Sequence, residues 1–153
     1  MELTLKMKIG DQEFALVVNM TNKAGRIYRQ KYSRDLIQDL TAINKKLNPS
    51  IYDYVDISQL DITNRTEEEL NADLIRMAYP KYKEYTENNV LDYSDTEQAS
   101  QIIWAFAKNA DDKLPDYEDW IDSFDFVMPV KSIIPVLFDA WTKTAQPIIE
   151  LKN

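Results

Sequence analysis

Period-two alternation opens the chain. In "ELTLKMKI", residues 2–9, Leu3, Leu5, Met7 and Ile9 fall on one side and Glu2, Thr4, Lys6 and Lys8 on the other. That pattern predicts a half-buried strand. Gly10-Asp11 follows, with glycine at the first central position of a type II′ turn, and "EFALVV" reads as the returning strand. A lone hairpin is marginal in water, so this one, about 2–18, must pack on helices or on another chain.

After Asn19 the spacing becomes helical. Met20, Ala24, Ile27 and Tyr28 share one face of a short helix that Gly25 weakens. Ser33 is the expected cap of a second helix, whose stripe is Leu36, Ile37, Leu40, Ile43 and Leu47, and Asn48-Pro49 stops it. Residues 49–65 mix β-branched residues with Asp and Asn and read as loop with a helical turn. Thr66 precedes a helix with Glu67, Glu68 and Glu69 at its positive end and Leu70, Leu74 and Met77 facing inward. Pro80 is expected to limit it, with another turn or two through Tyr85, and 86–93 reads as an exposed connection.

Ser94 to Glu97 fits a capping box. The helix it opens carries Ala99, Ile102, Ile103, Phe106 and Ala110 on one face, and Trp104 and Ala107 widen the apolar surface. Pro115 suits the first turn of a short helix with Tyr117, Trp120, Ile121 and Phe124 on its apolar side. Ser132 is the expected cap of the last helix, with Pro135 in its first turn and Ile133, Val136, Leu137, Ala140 and Trp141 inward. The sum is an α+β fold, mainly α. A short N-terminal β-hairpin precedes a bundle of about five helices. One domain is expected over 1–153, with a helical body at about 20–145 and a loose tail at 148–153.

Composition narrows the chemistry. The 153 residues include no Cys, no His and only two glycines. That removes disulfides, Cys or His zinc sites, thiol nucleophiles and a Ser-His-Asp triad. It also removes the glycine-rich loops that cradle phosphates. No apolar run approaches the roughly 20 residues a bilayer needs, and no signal peptide is visible, so a cytoplasmic, non-membrane protein is expected.

Net charge is −8 and unevenly placed: residues 1–47 carry nine bases and five acids, whereas 84–125 carry two bases and twelve acids. An acidic chain repels nucleic acid at long range, so none is expected as a partner. The basic third suits an acidic partner or the acidic half of another copy.

The acids between Asp111 and Asp122 do not make an EF-hand, because Lys113, Pro115 and Asp116 occupy the third, fifth and sixth loop positions. Their placement at the start of a short helix accounts for most of them. No catalytic residue, cofactor or metal ligand is assigned, and no enzyme is expected. Aromatic rings crowd the last third of the chain, and a short helix cannot cover every ring. Tyr117, Trp120, Phe124 and Phe126, on the shortest helix and its exit, are the candidates for partner contact.

Two stretches carry a resemblance. "MELTLKMKIGDQEFALVVNM" at the start and "ASQIIWAFAKNADDKLPDYEDWIDSFDFVMPVKSIIPVLFDAW" over 99–141 resemble the tail assembly chaperones of long-tailed phages and prophages of Gram-positive bacteria. The matching pieces are Trp104-Ala105-Phe106-Ala107-Lys108, then Pro115-Asp116-Tyr117-Glu118-Asp119-Trp120, then Phe124. The likeness spans most of the chain and is weak over 49–93. It implies a non-enzymatic factor that binds the long helical tape measure protein in the host cytoplasm. There it keeps that chain soluble until tail tube subunits assemble around it, and it is absent from the mature virion. Tape measure protein is the first implied partner and tail tube protein the second. The hairpin edge and the charge asymmetry also point to self-association.

Two other readings stand beside it. The acidic stretch 84–125 suits a DNA-mimic inhibitor of a nucleic-acid enzyme, although rings interrupt its acids. A structural subunit of a larger complex fits the composition equally well.

Overall fold

The computed structural model describes residues 1–49, 63, 65–88 and 91–146. The alternating N-terminus forms β1 (Glu2–Ile9) and β2 (Gln12–Asn19), antiparallel, with Ile9 opposite Gln12 and Leu3 opposite Val18. Gly10 takes φ +62°, while Asp11 stays at negative φ. That is the II′ pattern, and it favours glycine because residues with a side chain are strained at that φ. Among the described residues six helices follow: α1 (Asn22–Tyr32), α2 (Leu36–Leu47), α3 (Glu67–Asn88), α4 (Tyr93–Ala110), α5 (Tyr117–Asp122) and α6 (Val130–Thr144). The architecture is mainly α with a short N-terminal hairpin. Residues 50–62 and the tail 148–153, read from the sequence as loop and loose end, lie outside the described residues.

Where the sequence treats 1–153 as one domain, contacts within the chain group into two units: Met1–Asn44 with Asp92–Asn153, and Lys45–Leu91. In the first unit α4 is the central element, packed against β2, α1, α5 and α6. Every residue from Ile102 to Ala107 is buried, as a helix surrounded on all sides requires. Leu16, Val18, Ala24, Tyr28, Ile133, Ile134 and Leu137 belong to the same core. On α6 the inner face differs from the expectation: Ile134 is buried, Trp141 is half-buried and Val136 is exposed. The second unit holds α3, where Thr66 Oγ1 accepts the Glu69 amide at 3.2 Å and Arg65 pairs with Asp73.

Three caps and two prolines depart from the sequence reading. Ser33 ends α1 in the left-handed region, φ 56°, and its amide donates to the Arg29 carbonyl. The acceptor at the start of α2 is Asp35, whose Oδ1 takes the Gln38 amide at 2.8 Å. Asp92, not Ser94, caps α4: its Oδ1 accepts from the Asp95 amide at 2.7 Å, and Asp95 returns the bond. A carboxylate at the positive helix end is the stronger acceptor, and it gains two residues of helix. α6 starts at Val130 behind Pro129, so Ser132 lies inside it and Pro135 falls in its second turn. α3 runs through Pro80 to Asn88. The missing amide removes one ladder bond, and the turns on both sides carry the rest.

Candidate partner-binding surface

The motif Trp104 and Lys108 sit one turn apart on α4 and hold the loop that leads to α5. Trp104 Nε1 donates to the Pro115 carbonyl at 3.0 Å. Lys108 Nζ donates to the carbonyls of Asp112, at 2.9 Å, and Leu114. The chemistry of this pair is therefore local: two long donors satisfy the carbonyls that a short loop cannot pair for itself. From α1, Lys31 reaches Asp116 at 2.6 Å and Glu118 at 3.1 Å, with its ammonium 5.7 Å from the Trp104 ring centre. Asp111 Oδ1 accepts the Lys113 amide. These acids are occupied with loop and helix geometry, and among the described residues no three carboxylates converge on a common point.

The Lys31 hydrogen bond holds the Asp116 carboxyl below its usual range, and the same bond raises Lys31. The stability from this pair is present above the ordinary Asp value of 3.8 and is lost as pH falls through the lowered folded value. For Lys31 it is present below 10.5 and lost as pH rises through the raised folded value. Both groups are solvent-screened, so Lys31→Met costs about 0.2–1 kcal/mol near neutral pH. Urea unfolding at falling pH should show that penalty shrinking in acid.

Rings run outward from this loop in a continuous chain. Tyr117 lies 6.4 Å from both Trp104 and Tyr32 and 6.5 Å from Trp120, and Trp120 meets Phe124 edge-on at 5.1 Å. Phe124 stacks tilted on Phe126 at 5.2 Å, and Phe14 of β2 meets both, at 5.2 and 5.1 Å. The four sequence candidates therefore divide. Tyr117 and Trp120 are core, 2% and 5% exposed, so the expectation that the short helix leaves them uncovered is corrected. α4 and α1 cover them, through contacts that spacing along α5 cannot reveal. Phe124 and Phe126 are half-buried, and Val127 beside them is 84% exposed.

Phe14 is the member that sequence reasoning missed. It sits on the apolar side of β2, opposite Met7, and its only sequence signal is membership of a strand that needs a partner. Phe14, Phe124, Phe126 and Val127 form an apolar corner between the hairpin and the exit of α5.

The Tyr117 hydroxyl is buried beside Glu97 and Ser100, yet makes no hydrogen bond of good geometry among the described residues. Burial, and then the nearby Glu97 charge, push this phenol well above its ordinary range. A buried unpaired hydroxyl costs free energy, so Tyr117→Phe should raise stability by about 1 kcal/mol, read as a higher melting temperature.

A second concave feature lies across α1 and α6. Hollows of about 370 and 290 Å³ share Asn22 and the half-exposed Trp141. Arg26, Arg29 and Ile37 line the larger, and Met20 and Ala145 the smaller. Among the described residues no helix is long and apolar enough to cross a membrane. No protein-family model, curated protein or solved structure matches this chain.

Proposed function

We propose that this protein is a phage tail assembly chaperone, which covers apolar helical faces of the tape measure protein in the host cytoplasm while tail tube subunits assemble. The observation that carries this reading is the apolar corner of Phe14, Phe124, Phe126 and Val127, three rings in mutual contact beside an 84% exposed valine. A patch of this kind suits an amphipathic helix better than a small substrate. The sequence likeness over 99–141 favours a tape measure segment as that helix, and the Trp141 hollows offer a second contact on a long, repetitive target. The makeup of the site, aromatic rings together with Asp116 and Glu118 that are paired with Lys31, favours a binding role over a catalytic one. The DNA-mimic reading draws less support, since Asp116 and Glu118 are paired with Lys31 and Asp92 and Asp95 cap a helix.

Co-expression tests the proposal. The gene should lie between those of a major tail protein and a very long helical protein. That long protein should stay in the soluble fraction with this chain present and precipitate without it. Equal precipitation in both cases overturns the reading.

A further inference from the structure

The hairpin has an unpaired side whose chemistry matches itself. The Met20 amide donates to the Met1 carbonyl at 2.8 Å, and the Met1 nitrogen donates back to the Met20 carbonyl at 3.3 Å. Met1 and Met20 are thus a hydrogen-bonded pair, and the phase repeats every second residue through Leu3↔Val18, Leu5↔Leu16, Met7↔Phe14 and Ile9↔Gln12. The amides and carbonyls of Glu2, Thr4, Lys6 and Lys8 therefore point away from β2. Among the described residues no strand pairs with that edge. The apolar row of β1 is also unfinished. α4 lies beneath β2, where Leu16 and Val18 are buried, whereas Leu3, Leu5, Met7 and Ile9 are only half-buried.

We propose that β1 pairs antiparallel with β1 of a second copy of this chain, with Leu5 facing Leu5 across the two-fold axis. The open groups sit on even-numbered residues, so even residues must face even residues. With Leu5 at the centre, Glu2 lies opposite Lys8 of the second copy and Thr4 opposite Lys6, and the symmetry repeats both pairs. Leu3 then faces Met7 of the second copy. An axis perpendicular to the sheet keeps both apolar rows on one face, in the closer, non-hydrogen-bonded pairs.

Other registers are worse. Moving the centre to Lys6 sets Lys6 against Lys6 and leaves Glu2 unpaired. Moving it to Thr4 leaves Lys8 beyond the end of a shorter ladder. Lysines on an edge strand deter pairing with strange strands, so an edge that answers them with its own Glu2 selects its own copy. The resulting four-stranded sheet has no comparable open side at its centre. This inference is independent of what the protein binds.

The test uses the full chain in sedimentation equilibrium. Wild type should form a concentration-dependent dimer. Glu2→Lys places like charges opposite one another at two symmetric positions and should weaken the dimer roughly tenfold. Lys8→Glu should do the same, and the double variant E2K/K8E should restore it, a recovery that general damage to the fold cannot produce. Cysteine substitution reads the register directly, because the chain has no other cysteine. Leu5→Cys should give a disulfide-linked dimer on mild oxidation, and Leu3→Cys, which faces Met7, should not. Monomer at every concentration overturns the proposal. So does a dimer indifferent to E2K, a double variant that fails to recover, or L3C linking as fast as L5C.

Discussion

Replacing Trp104 by Ala lowers the melting temperature by roughly 10 °C or more, the largest drop expected for any single change in the aromatic chain. Three losses combine at this position. The indole is 3% exposed, and truncating a buried ring of that size costs about 3–5 kcal/mol through lost contacts and the cavity left behind. The Pro115 carbonyl loses its donor. Lys31 loses the ring face beside its two carboxylate partners. Against a total stability of about 5–15 kcal/mol, that is a large fraction.

Trp104→Phe separates the parts. It keeps most of the apolar contact and removes only the donor, so it should fall between wild type and W104A in thermal unfolding followed by circular dichroism. A W104A melt within a few degrees of wild type would mean that the loop to α5 is held by Lys108 alone. The motif tryptophan would then be no anchor. The same measurement tests the division of labour between Trp104 and Lys108, one turn apart on α4, which serve different carbonyls of one loop.

What the chain announces and what it hides follow from the range of the interactions. β1 and β2 were legible because alternation is a local property of adjacent residues, and Gly10-Asp11 names its own turn. The α4 core was legible because Ile102, Ile103, Phe106 and their neighbours leave no polar side. Helix starts were less so. Asp92-x-x-Asp95 and Ser94-x-x-Glu97 both fit a capping box, and the choice depends on how far packing carries the helix back. Pro80 stops a helix by local rule, yet α3 continues, since one lost bond does not outweigh the turns beyond it. Within the candidate surface, the partial exposure of Phe124 and Phe126 follows from their place at the exit of a short helix. Tyr117 and Trp120 were misjudged because their cover comes from α1 and α4. Phe14 was missed because it joins the others only through folding.

That division between inner and outer rings gives the sharpest functional expectation. The double variant F124A/F126A should fold and yet fail to keep the proposed tape measure partner soluble. Both rings are half-buried, so each truncation should cost about 1–2 kcal/mol, well below the figure for a fully buried ring. The chain should therefore stay folded at growth temperature, with near-native circular dichroism, while losing two of the three rings that form the apolar corner. In co-expression the partner should move from the soluble fraction to the pellet. Hot-spot contacts are concentrated in such aromatic clusters, so the loss should be nearly complete, not graded. W104A is the necessary contrast, because it lowers both stability and solubilisation, whereas F124A/F126A should lower only the second. E2K supplies the other control: it weakens pairing of β1 and leaves the corner intact. A partner that remains soluble with F124A/F126A would move the contact surface elsewhere, and the Trp141 hollows, probed by Trp141→Ala, would be the next place to look.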